Sequence, residues 1–202
     1  EFMEERIAKQ QAFAVLVVDI DNFNQIGHTM GNLFSDSVLC TVADGIQETT
    51  GNLGTVGRIG TGEFLVVLES EERETVQKTA IDLSGMLRKV YIGGEEGFYL
   101  TASIGIARYP QDGKETEDVF SRASEALYTI KNSGKNRFLF ADQMGKLETP
   151  SLKTESSIYN YNTNWFRRQA EHFSQSMISF VFNVLASAKS LPSAINLVLD
   201  RI

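Results

Sequence analysis

Residues 13–20 form an unbroken apolar, β-branched run, Phe13 through Val18, closed by Asp19 and Ile20; this is the pattern of a strand buried on both faces. A polar stretch follows and predicts a loop, and then Phe34, Val38, Leu39, Val42 and Ile46 recur at helical spacing over residues 33–47. Cys40 falls within that pattern and is read as a small core residue. His28 falls in the loop. Two short apolar runs, 55–59 and 64–68, flank Gly60-Thr61-Gly62 and predict a hairpin. Gly followed by Thr suits a two-residue type II′ turn, with Gly60 taking positive φ.

Further on, Val76, Ala80, Leu83 and Leu87 lie on one face of an amphipathic helix spanning residues 71–90. Residues 98–107 predict a strand, residues 116–132 a helix with Val119, Phe120, Ala123, Ala126, Leu127 and Ile130 inward, and residues 137–140 a last strand. Strands interleaved with helices, with one tight hairpin, predict an α/β (α+β) sandwich: a mixed central sheet flanked by helices. The first domain is placed at residues 1–142. Residues 143–164, rich in Ser, Thr, Asn, Lys and Tyr, read as a linker. Residues 165–202 read as a C-terminal helical extension. Its first helix carries an apolar stripe of Phe173, Met177, Phe180 and Val184, and it is broken at Leu191-Pro192. A stripe of that kind must bury itself against the domain or against a second copy, so a homodimer is expected.

Composition narrows the function classes. A net charge of −7 and a pI near 4.9 disfavour a general nucleic-acid surface. One cysteine leaves no internal disulfide framework and fits a reducing cytoplasm. No apolar run approaches the length of about 18 residues that a membrane helix requires, so no membrane segment is expected within this chain.

Three separated segments, in order, resemble the GGDEF family, whose members make cyclic di-GMP. The first is Asp19-Ile20-Asp21-Asn22-Phe23 with Ile26, Gly31 and Asp36. The second is Arg58-Ile59-Gly60-Thr61-Gly62-Glu63-Phe64. The third is Ser103-Ile104-Gly105-Ile106-Ala107 with Tyr109-Pro110 and Asp112-Gly113, followed by Ala126-Leu127-Tyr128, Lys131 and Gly134-Lys135-Asn136-Arg137. The resemblance implies a nucleotide-cyclase sandwich in which two protomers each present one GTP. A 3′-hydroxyl then attacks the α-phosphate across the interface, and Mg²⁺ stabilises the charge that develops. It implies metal ligation by the Asp19 carboxylate, the Ile20 backbone carbonyl and an acid at the third signature position. That position is Gly62.

Glu63, at the fourth position, is the residual catalytic candidate. Alternation along a strand predicts that it points away from the face Gly62 would serve, so its recruitment would need a backbone distortion. Thr61 stands where the family uses glycine, and its side chain falls in the path of the phosphates. The resemblance also assigns Asn22, Phe23 and Gly60 to the nucleotide site, Asp36 to the guanine edge, and Lys131 and Lys135 to the terminal phosphates. An ordinary exposed residue at Asp36, a strand-ending cap at Asp19 and solvated helix-end lysines remain open alternatives. Gly27 stands where the family's second base-reading residue, an asparagine, would be, which predicts weak discrimination against ATP. The Arg-x-x-Asp of product inhibition is absent from Gly51-Asn52-Leu53-Gly54. Gly93-Gly94-Glu95-Glu96-Gly97-Phe98, superficially like the signature, reads as a plain turn.

These observations predict a degenerate GGDEF domain that regulates, binds GTP or dimerises within a longer cyclic di-GMP signalling protein, beside other domains of the same parent chain. The alternatives are a functioning diguanylate cyclase and a scaffold with no nucleotide site. The tail resembles the opening helix of a GAF domain.

Overall fold

The computed structural model describes residues 2–146, apart from 89, 93–94 and 99. The expected linker, the C-terminal extension and its resemblance to a GAF domain lie outside the described residues. β1 (Phe13–Ile20) is buried along its whole length at the centre of a five-stranded sheet of order β2-β3-β1-β6-β7. Its neighbours are β3 (Glu63–Leu68) and β6 (Ala102–Tyr109), both antiparallel to it. β2 (Gly54–Arg58) forms one edge, and β7 (Phe138–Phe140), parallel to β6, forms the other. The mixed sheet expected from the order of elements is therefore present. Burial on both sides accounts for the continuous apolar run of β1, since neither face is left to water.

Alternation divides the sheet residues between two layers. Phe13, Val15 and Val17 pack with Val67, Ala107, Val119, Ala123 and Leu127, beneath α5 (Thr116–Asn132) and α1 (Phe2–Ala8). The opposite layer holds α3 (Asn32–Thr50) and α4 (Arg73–Leu87), whose inward residues include Val38, Val42, Ile46, Val76, Ala80 and Leu83. α5 lies so close on β6 that a Cβ at Gly105 would stand 2.0 Å from the Ala123 carbonyl oxygen. Only glycine fits there, which gives a packing reason for the Ser103-Ile104-Gly105 motif. At the start of α5, Asp118 Oδ2 accepts from the backbone N–H of Glu115 at 3.3 Å, half of a reciprocal helix cap.

Several expectations are corrected. The segment after β1 is not a loop: α2 (Phe23–Met30) forms there, and exposed His28 is helical. Cys40 is exposed and does not belong to the core, because it lies on α3 away from the Val38–Leu39–Val42 face. The strand expected over residues 98–107 is offset, running Ala102–Tyr109. Glu95–Phe98 pairs instead as β5 with β4 (Val90–Ile92), where a plain turn was expected.

Candidate functional site

The site gathers at the end of β1. Asp19 and Glu63 are direct partners in the β1–β3 ladder. Directly opposed residues of an antiparallel pair project to the same face, so the two carboxyls face one another with no backbone distortion. This corrects the expectation that Glu63 points away. The shared face is the one that α5 covers, and α5 delivers Lys131, whose Nζ donates to Asp19 Oδ2. Burial is the main reason that the Asp19 carboxyl is raised to about 6; Lys131 opposes that rise and the nearby Glu63 carboxyl adds to it.

The signature hairpin differs from the two-residue turn expected. The Ile59 and Gly60 N–H groups both donate to the Glu63 carbonyl, at 3.0 and 3.3 Å, which leaves Gly60, Thr61 and Gly62 as a three-residue loop. In such loops the last residue takes the left-handed conformation. Accordingly Gly62, not Gly60, has positive φ, at 80°. The Gly62 carbonyl accepts from the Ile20 N–H at 2.9 Å, which ties the loop to the end of β1. A Cβ at Gly62 would stand 3.0 Å from Phe23 Cβ and Cγ, so a side chain there would need Phe23 to give way by a few tenths of an ångström. Gly60 is crowded instead by Glu63, whose Oε2 would lie 2.6 Å from a Cβ there. Thr61 is exposed at the tip.

Asp21 is the residue that sequence reasoning passed over. It is buried, and three donors converge on it: Thr101 Oγ1 and Ser103 Oγ, each at 2.8 Å, and the Asn136 N–H at 3.0 Å. Burial raises its carboxyl above the usual range, against these hydrogen bonds and the Lys135 charge. The signal was present in the sequence: two acids at i and i+2 ending an otherwise apolar strand point to one face. Through Asp21, the Gly134-Lys135-Asn136 turn is fastened to β1 and β6. All three of its residues have positive φ, at 107°, 54° and 49°. Lys135 Nζ then donates at 2.8 Å to Oδ1 of Asn22, itself left-handed at φ 59°. Asn22 and Lys135 thus meet, as do Asp19, Glu63 and Lys131. Asp36 stands apart from this cluster, exposed on the first turns of α3.

The donor set fits Mg²⁺. Asp19 and Glu63 supply hard carboxylate oxygens beside the Ile20 peptide, and a divalent ion would relieve the repulsion between two facing carboxylates. No group of three or more His, Cys, Asp or Glu gathers among the described residues. Mg²⁺ ordinarily needs only one or two carboxylates, with phosphates and water completing its shell.

A five-stranded mixed sheet between helical layers, with acids at the end of its central strand and a glycine-rich hairpin beside them, defines a nucleotide-cyclase-like domain. The chain belongs to the GGDEF family: residues 1–137 match the family described as "Diguanylate cyclase, GGDEF domain". Among curated relatives it is 33% identical over 138 residues to diguanylate cyclase DgcM of Escherichia coli, covering 68% of this chain and 33% of that protein. It is 30% identical over 138 residues to the bifunctional diguanylate cyclase/cyclic di-GMP phosphodiesterase MucR of Pseudomonas aeruginosa, covering 68% and 20% respectively. The chain thus spans a third or less of these relatives' lengths. Among solved structures, it is similar to the GGDEF domain of DgcB from Caulobacter crescentus in complex with c-di-GMP. That similarity has a TM-score of 0.61 and 26% identity, over 69% of this chain and 84% of that one. The active GGEEF domain of a diguanylate cyclase from Vibrio cholerae is similar as well, with a TM-score of 0.59 and 27% identity over 69% and 88%. The domain is thus a GGDEF domain of the kind found in cyclic di-GMP signalling proteins. No helix among the described residues is long and apolar enough to cross a membrane.

Proposed function

We propose that this domain binds GTP with Mg²⁺ without cycling it, and serves as a regulatory module in a multidomain cyclic di-GMP protein. The observation that carries the reading is the geometry of Gly62. The third signature position is a glycine with positive φ packed against Phe23, so it carries no carboxylate, and a side chain there would be strained and would have to shift Phe23. What remains is suited to holding a nucleotide. Asp19, Glu63 and the Ile20 carbonyl would hold the metal, which supplies positive charge against the triphosphate. Lys131 and Lys135 come from the last turn of α5 and the turn beyond it, where cations are also favoured by the helix dipole. Asn22 holds Lys135 and Phe23 walls the loop, so both shape the pocket without themselves carrying charge.

The test pairs calorimetry with product chromatography. Incubation with GTP and Mg²⁺ is expected to give binding heat and no cyclic di-GMP. Turnover within tenfold of an active family member overturns the reading. The second reading, a working cyclase, is favoured by one observation: Glu63 lies opposite Asp19, so a carboxylate pair persists despite Gly62. Self-association through the apolar stripe at Phe173, Met177, Phe180 and Val184 belongs to the same reading. Light scattering is expected to show a dimer that reverts toward monomer when residues 165–202 are removed.

A further inference from the structure

Asp19 stands near the end of β1 with its side chain only 9% exposed, and Lys131 Nζ donates to its Oδ2. The ammonium thus occupies an oxygen that the proposed function assigns to Mg²⁺. The backbone of Lys131 is held in place, because the end of α5 is anchored by buried Ala126, Leu127 and Ile130. Its side chain is freer: it is 35% exposed, and the amine ends a long flexible stem. The second lysine of the site is placed differently. Lys135 Nζ rests on the Asn22 amide oxygen, at 2.8 Å, rather than on an acid.

We infer that Lys131 is a resident counter-ion that bars a bare divalent ion from Asp19 and yields the carboxylate when a triphosphate arrives, so that metal and nucleotide enter together. The inference deepens the proposed GTP- and Mg²⁺-binding function and rests on it.

Charge sets the order. An ammonium and a divalent ion on one carboxylate repel each other at short range, and beside a nearly buried acid water screens them poorly. A bare ion must therefore expel the lysine before it can bind. The acids around it offer the expelled amine no new place. Glu63, opposite Asp19, is the other carboxylate the ion would claim. Asp21 is already committed, Oδ1 to the Ser103 hydroxyl and Oδ2 to the Thr101 hydroxyl and the Asn136 N–H. A metal–triphosphate complex is net negative and brings phosphate oxygens with it. Those oxygens take the ammonium as the ion takes Asp19, so every charge keeps a partner.

Mn²⁺, which shares the oxygen-ligand preference of Mg²⁺, serves as the probe. Its binding to the full chain is read alone by electron paramagnetic resonance, and as preformed Mn²⁺–GTP by calorimetry. Lys131→Met keeps the stem and removes the charge. It is expected to bind bare Mn²⁺ at least about tenfold more tightly than the parent, and Mn²⁺–GTP about tenfold more weakly. Lys135→Met removes the same charge from the same pocket without freeing Asp19. Its affinity for bare Mn²⁺ is expected to rise by no more than about twofold. Lys131→Arg keeps a cation on Asp19 and is expected to exclude the bare ion as the parent does. A Lys131→Met variant that binds bare Mn²⁺ no better than the parent overturns the inference, as does an equal gain in Lys135→Met or in Lys131→Arg. Any of these leaves the GTP-binding reading standing. A parent that does not bind Mn²⁺–GTP overturns that reading, and the bare-ion comparison still decides whether Lys131 bars the metal from Asp19.

Discussion

Asp19 and Glu63 face each other across the β1–β3 ladder, and Lys131 from α5 closes onto the Asp19 side of the pair. The arrangement leaves a buried carboxyl that holds its proton up to about 6, against an ordinary 3.8. The folded state therefore binds that proton more tightly than the unfolded chain does. The group's contribution to stability is complete below about pH 4 and is lost as pH rises through 6. Asp19→Asn removes the ionisation, so the variant is expected to be more stable than the parent by about 1–2 kcal/mol at pH 8, with the gain vanishing near pH 4. Urea unfolding across that pH range reads it directly. A gain that is independent of pH contradicts the assignment.

Gly62→Asp, the substitution that would rewrite the signature, is expected to destabilise the domain. The left-handed backbone costs an aspartate about 1 kcal/mol, and the new Cβ must displace Phe23. Thermal unfolding is expected to fall for Gly62→Asp and to hold for Thr61→Gly at the exposed tip.

Asp21→Ala leaves the Thr101 and Ser103 hydroxyls and the Asn136 N–H without their acceptor. A loss of about 2–4 kcal/mol is expected, and Asp21→Asn, which keeps one acceptor, is expected to lose less. Denaturant titration separates the two.

Gly105→Ala would press a methyl group into the backbone of α5 at Ala123. Overpacking at a helix–strand contact costs about 1–3 kcal/mol, and here neither partner is a flexible side chain. A midpoint unchanged in urea would show that α5 can lift from β6.

Much of this was legible from the chain because burial and pattern agreed. The seven apolar positions of β1 read as a buried strand, and Asp19 stands out as the acid among them. α2 was hidden although Phe23, Ile26 and Met30 recur at helical spacing: eight residues including Gly27, flanked by positive-φ Asn22 and Gly31, are too short a run for that pattern to stand out from a loop. The hairpin was recognised but its closure was misjudged, since Gly-Thr-Gly serves a two-residue or a three-residue loop equally well. Only the paired N–H groups of Ile59 and Gly60 on one carbonyl decide between them. The facing of Asp19 and Glu63 depends on strand register, which no local pattern reports.

The three donors on Asp21 come from sequence positions 101, 103 and 136, and none belongs to the signature hairpin. Substitutions at the hairpin tip therefore leave the Asp21 acceptor and its three donors in place. One half of the pocket can drift in sequence while the other keeps its shape.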